Sequence, residues 1–246
     1  MDTIEPASVP KKRAGCWRMT WQRALIALLV AEVTIVELVM MFQEPKAQTV
    51  AVSAFVCGLT TMTFRLAIHG ARRFWKPPQI HGCLSGLLFV SMGSLGAAWV
   101  ETVFWAFEKV FAVQGIAAHP NLIVDLLATM PWYVAMVTVL WCVHRRYRYH
   151  WTTVALLGVL YEMGGDGILG QILQGGPLDP AYIAQLLFIC PGIFLLTYSP
   201  MVLPPVWLFP MDDEPYTGPH WQRVAGAFLP LLPLIPYGLI VILLFG

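Results

Sequence analysis

Glu162 and Asp166 stand four residues apart inside WTTVALLGVLYEMGGDGILGQIL, residues 151–173, a stretch otherwise apolar enough to cross a bilayer as a helix. On an α-helix that spacing puts both carboxyls on one face, about 40° from each other. Gly158, Gly164, Gly165, Gly167 and Gly170 surround them, and glycine lets neighbouring backbones approach closely inside lipid. The segment holds no cation, so this face is expected to meet protein or a wet cavity.

A charged carboxylate in a membrane span costs roughly 2.5 kcal/mol or more. An unpaired one therefore takes up a proton, shares a bound cation or stays in water. Protonated acids can donate to an alkene, an epoxide or a carbonyl, alternating protonation can couple transport, and oxygen clusters can hold Mg²⁺, Ca²⁺ or Na⁺.

Four further acids fall within apolar stretches: Glu32, Glu37, Glu101 and Asp125. Glu162, Asp166, Glu101 and Glu32 are the candidate catalytic acids. Glu32 and Glu37 are five residues apart and do not share a face. Glu37, Glu101 and Asp125 lie within a turn or two of the expected surface, where solvation or capping explains an acid equally well. Asp125, in HPNLIVD, also suits the positive end of a helix dipole. Asp125, Trp105, Tyr161 and Trp132 are the candidate substrate-binding residues, the aromatics offering cation–π faces to a cationic intermediate as well as ordinary packing.

The elements that would position these groups follow from hydropathy. The chain has 246 residues, 58% of them hydrophobic and 12% charged, with a formal net charge of +1. The charged share is about half that of a soluble domain, and the apolar residues come in blocks of about twenty. The predicted fold is all-α: a polytopic membrane protein with spans at about 21–42, 49–70, 80–107, 121–143, 151–173, 180–198 and 221–245. Residues 1–20 form a basic cytoplasmic tail with no cleavage site, and 21–246 a single transmembrane domain. Pro191 should kink the sixth span. The proline-rich stretch 199–219 is expected to break from a straight helix, its apolar part MVLPPVWLFP lying in the interface or re-entering the membrane. The loop 108–120 is a candidate for a short interfacial helix.

Charge tests this count. With the N-terminus inside, twelve of the fifteen basic residues fall in inside segments and only Lys46 and Lys109 in outside loops. The bias alternates loop by loop as seven spans require, with the C-terminus outside. The remaining one, Arg65, lies within the second span. It either snorkels to the interface or pairs with Glu32 or an anionic headgroup.

Five cysteines without a CxxC read as buried small hydrophobes. No metal site or cofactor is predicted. There is no HExxH, and His69, His81, His144, His150 and His220 gather on the inner side as interfacial residues, with a haem pair as the weaker reading. Gly82 and Gly86, extended by Gly93 and Ala97, form a small-residue packing face. No mid-span lysine exists, which excludes a retinal Schiff base, and Walker, DxxxD and GxSxG motifs are absent.

The leading expectation is a membrane-embedded acid–base enzyme (isomerase, cyclase or hydrolase type) acting on a lipid or isoprenoid-like hydrophobic small molecule. A proton- or cation-coupled transporter or channel is the alternative, and a non-catalytic subunit with an oligomer or membrane-complex partner the third. The bilayer of a cell membrane or endomembrane is the expected surrounding. Nucleic acid has no domain to bind.

Overall fold

The computed structural model describes residues 14–74, 83–173, 175–209 and 217–245, and every regular element among them is helical. In chain order these are α1 (Ala14–Met40), α2 (Pro45–Ala71), α3 (Cys83–Val110), α4 (Leu122–Tyr147), α5 (Trp151–Glu162), a π-helical segment (Met163–Leu169), α6 (Gly170–Leu173), α7 (Pro180–Phe188), α8 (Cys190–Leu208), α9 (His220–Phe228), a 3₁₀ turn (Leu229–Leu231) and α10 (Leu234–Phe245). Helices α2, α3, α4 and α8, of 27, 28, 26 and 19 residues, are each long and apolar enough to cross a membrane. Large apolar side chains such as Leu28, Phe42, Leu66, Leu87, Leu95 and Leu127 are exposed, as lipid-facing surfaces require.

Helix α8 is the centre. Of its most apolar stretch 67% is buried, against 28–33% for α2, α3 and α4. This corrects the expectation for the first part of 199–219: one helix runs through Pro200, Pro204 and Pro205 to Leu208, while 210–216 lie outside the described residues. The kink expected at Pro191 appears instead as a break at Ile189, after which Pro191 starts α8, where its missing N–H is harmless.

The internal prolines withhold the N–H groups that would bond the carbonyls of Leu196, Pro200 and Met201. Ser199 Oγ donates to Leu196 O at 2.8 Å. The other two carbonyls face α3 at Gly93 and Gly96. A Cβ at Gly93 would stand 3.1 Å from Met201 O, and one at Gly96 would collide with Pro200 O. Glycine is therefore what lets the α3 backbone reach those carbonyls, where Cα–H groups provide weak donors. The small-residue face read from the sequence has this specific partner; Gly82 lies outside the described residues.

Packing directions follow from the contacts. α2 runs parallel to α8, with Gly58 against Leu196 and Thr61 taking a hydrogen bond from Ser199 at 2.9 Å. α4 runs back along α3, with Trp141 against Gly86 and Val137 against Gly93. α5 lies on α8 through Gly158, where a Cβ would stand 3.2 Å from Val202 and 3.5 Å from Tyr198. α1 meets the start of α8 where Val33 packs on Gly192.

Three expected single helices are interrupted. The stretch 151–173 leaves α-geometry at Met163, 180–198 breaks at Ile189, and 221–245 contains the 3₁₀ turn. The π segment is the glycine-dense part of the stretch, packed on Leu231 at Gly164 and on Leu186 at Gly167; π segments concentrate at functional sites. Residues 111–121 hold turns and bends but no interfacial helix. Of the cysteines, Cys57 is buried and Cys190 partly so, whereas Cys83 and Cys142 are exposed, so the buried reading fails for those two.

Candidate functional site

The bundle has an acidic end and a basic end. At the acidic end α3 and α4 meet around Glu101, Glu108, Asp125 and Tyr133. Asn121 caps α4 by accepting from Ile123 N and Val124 N, which fixes Asp125 in the first turn with its side chain fully buried. Asp125 Oδ1 accepts from His119 N at 2.9 Å. About one turn past the middle of α3, Glu101 accepts from Tyr133 Oη at 2.6 Å. The Tyr133 ring stands edge-on to Tyr198 of α8, with centroids 6.0 Å apart, so the central helix buttresses it.

The Glu101 carboxyl neighbours that of Asp125, whose Oδ2 is buried with no hydrogen-bond partner. Carboxyls this close repel each other when both are ionised.

Glu108, two turns beyond Glu101 on α3, accepts from Ile116 N at 2.9 Å and Ala117 N at 2.8 Å, and Lys109 Nζ stands 3.8 Å from it. Trp105 Nε1 donates to Pro120 O at 2.9 Å. These side chains, with Asp125, satisfy the backbone of 111–121 directly, which is why no helix is needed there.

The remaining predicted residues are not gathered at this pair. Glu32 accepts from Gly192 N at 3.1 Å, an acid at the amino end of α8, where the helix dipole favours it. Glu37 is half-buried, with Oε1 meeting no donor. Glu162 is buried at the end of α5, continuing one turn on the face that Gly158 presents to α8. Asp166 lies in the π segment rather than on a continued α-helix, so the predicted α-helical relation between the two acids does not hold; the Asp166 side chain lies outside the described residues. Tyr161 Oη donates to Ala227 O at 2.9 Å, tying α5 to α9. Trp132 is buried against Tyr237, centroids 6.4 Å apart. Trp105 thus holds a loop, and Tyr161 and Trp132 join helices.

At the basic end Arg65 does not pair with Glu32. Its guanidinium lies between the rings of Trp151 and Trp207, 4.9 and 4.8 Å from their centroids. Nearby, Tyr149 Oη donates to Arg223 O at 2.6 Å, and Arg223 lies over the Tyr149 ring at 5.4 Å. His150 accepts at the start of α5, and burial lowers its pKa from the ordinary histidine value. Among the described residues no group of three or more His, Cys, Asp or Glu side chains is arranged to hold a metal ion.

Glu108 was not singled out by sequence reasoning, and Tyr133 only as one of the aromatics flanking the acids. A usable signal existed: Glu101, Glu108 and Trp105 fall at helical spacing on one side of α3, and Asp125 and Tyr133 are eight residues apart on α4. Comparison with protein-family models, curated proteins and solved structures found no match, so function has to be argued from these residues.

Proposed function

We propose that this chain is a multi-pass membrane enzyme that carries out acid–base chemistry on a hydrophobic, lipid or isoprenoid-like substrate, with Glu101 and Asp125 as the reacting pair. The observation that carries the reading is a fully buried Asp125, its Oδ2 without a hydrogen-bond partner, beside the Glu101 carboxyl that Tyr133 holds. The 2.6 Å bond from Tyr133 to Glu101 has the length of an O–H donating to a charged oxygen. Tyr133 would steady Glu101 as the ionised base, and His119 N on Asp125 Oδ1 would steady Asp125 when the proton sits on its neighbour, so the pair can exchange acid and base roles. Two acids held in different protonation states are the basic equipment of general acid–base catalysis.

The same reading takes seven crossings, the interrupted stretches 151–173, 180–198 and 221–245 included, with the amino end and the basic end inside. The clustering of Arg65, Arg148 and Arg223 with their aromatic partners at one end supports that orientation. A second reading, proton-coupled transport, is favoured by the same buried pair of acids.

One experiment separates them. The full chain is reconstituted in vesicles of its host's membrane lipids and incubated in D₂O, and lipids are examined by mass spectrometry for deuterium bound to carbon. Wild type should label a lipid class, and Glu101→Gln or Asp125→Asn should slow labelling by about 10²-fold or more. Proton flux across the vesicles, lost in both variants and without carbon labelling, would support transport instead. Labelling that is unchanged in both folded variants would remove the pair from the chemistry.

A further inference from the structure

Helices α1, α2, α5 and α8 leave a cavity of about 350 Å³ between them, and none of the carboxyl groups lines it. Its walls are mostly apolar: Val30 from α1, Met62 from α2, Leu156 from α5, and Leu195, Leu196 and Leu203 from α8. Along α8 the lining runs from Leu195 to Trp207, about 18 Å at 1.5 Å per residue. That is close to the depth of one leaflet, half of a hydrocarbon core of about 30 Å. Several hydroxyls on the wall are already partnered: Ser199 bonds Thr61 and Leu196 O, Thr61 bonds Cys57 O, and Thr152 pairs with His150.

The end of the cavity at Arg65 differs from its walls. The guanidinium is held between two indole rings, which fixes its position before anything binds. The ion pair found among the described residues is Lys109 with Glu108, at the other end of the bundle, so no described carboxylate neutralises Arg65. Trp207 Nε1, on the same wall, is buried and meets no acceptor. A buried N–H without an acceptor is costly. Arg72 Nη2 donates to Trp207 O at 2.6 Å, which anchors that residue and brings a second positive charge to the same end. An apolar channel of leaflet depth thus terminates in a preset cation and a spare N–H donor.

We propose that this groove binds one membrane phospholipid with an anionic head, its phosphate oxygens on Arg65 and Trp207 Nε1 and one acyl chain along α8 toward Leu195. A guanidinium and an indole N–H together match phosphate oxygens, and the zwitterionic alternative adds a cation where Arg72 already stands. The site is independent of the Glu101–Asp125 reading and survives its failure.

The test is native mass spectrometry of the full chain in neutral detergent, titrated with phosphatidylglycerol, phosphatidylcholine and inorganic phosphate. Phosphatidylglycerol should bind more tightly than phosphatidylcholine, and inorganic phosphate should not be retained. Arg65→Gln should weaken phosphatidylglycerol binding about tenfold or more, and Arg65→Lys should recover part of it. Trp207→Phe, which retains the ring and removes the N–H, should weaken it several-fold. Leu196→Trp fills the channel without touching the head site and should also block binding. The proposal is overturned if the two lipids bind alike, if inorganic phosphate binds as well as phosphatidylglycerol, or if Arg65→Gln and Leu196→Trp bind it undiminished. Glu101→Gln, remote from the groove, should leave lipid binding unchanged.

Discussion

Replacing Gly96 by alanine tests how α3 docks on α8. A Cβ at this position would stand 2.7 Å from both Met201 Cα and the Pro200 carbonyl carbon, where carbon atoms settle at about 3.5–4.0 Å. The shortfall is about 1 Å, and the opposing atoms are backbone, so no side-chain rotation relieves it. α3 must withdraw, which costs about 1–3 kcal/mol as overpacking. It also pulls Gly93 and Gly96 off the Met201 and Pro200 carbonyls, at about 0.5–1 kcal/mol for each contact. Alanine returns up to about 1 kcal/mol through its better helix propensity. The net loss is about 1–4 kcal/mol. Gly70→Ala is the matched control: nothing lies within 4 Å of its Cβ position, so only the propensity gain of up to about 1 kcal/mol remains. Equilibrium unfolding in mixed micelles, read as the denaturing-detergent fraction at the midpoint, should move in opposite directions for the two variants. A Gly96→Ala protein at least as stable as wild type would refute the proline–glycine seam as the reason α3 sits where it does.

Three further outcomes are expected. Glu108→Ala removes the acceptor of two loop amides and should cost about 1–3 kcal/mol, with faster hydrogen exchange at Ile116 and Ala117; unaltered exchange there would show that the loop is held by something else. Tyr161→Phe deletes the bond to Ala227 O and should destabilise by about 1 kcal/mol, read as a lower unfolding midpoint, with no change meaning that α9 is not fastened through it. His150 has its pKa lowered by burial from 6.5, so the unfolded chain takes the proton more readily. Its contribution is complete above 6.5 and is lost as the pH falls through the window below that value. His150→Asn retains a capping acceptor and should flatten that loss; identical pH profiles would exclude His150 as its source.

Much of the helical plan was legible because hydropathy and helix length are local properties. α2, α3 and α4 lie where apolar blocks predicted them, α2 and α4 longer by a few residues and α3 shifted by three. The path of α8 was not legible, since its prolines read as breaks when the chain is viewed alone. They are tolerated because Ser199, Gly93 and Gly96, two of them some hundred residues earlier, attend to the carbonyls they free. The site shows the same division. Glu101 and Asp125 were both visible as intramembrane acids, but their proximity depends on how α3 turns back into α4 through a loop that Glu108 and Asp125 help to hold. The emphasis on Glu162 and Asp166 assumed a regular helix, which the glycines from Gly164 onward do not maintain. Arg65 was seen to have an unusual position, whereas its two flanking indoles come from positions 151 and 207 and no spacing rule links them.

The central position of α8 bears on how the molecule is made. Five of the helices it supports or completes leave the ribosome before it does, so α1 to α5 must wait as an open ring around a missing axle. During that interval the glycine track of α3 is uncovered and Tyr133 has no Tyr198 beside it. The axle, for its part, is a poor helix until that ring receives its loose carbonyls. Final closure is therefore a single late, mutually dependent step, and chains stalled before residue 190 should be strong clients for membrane chaperones and quality-control proteases.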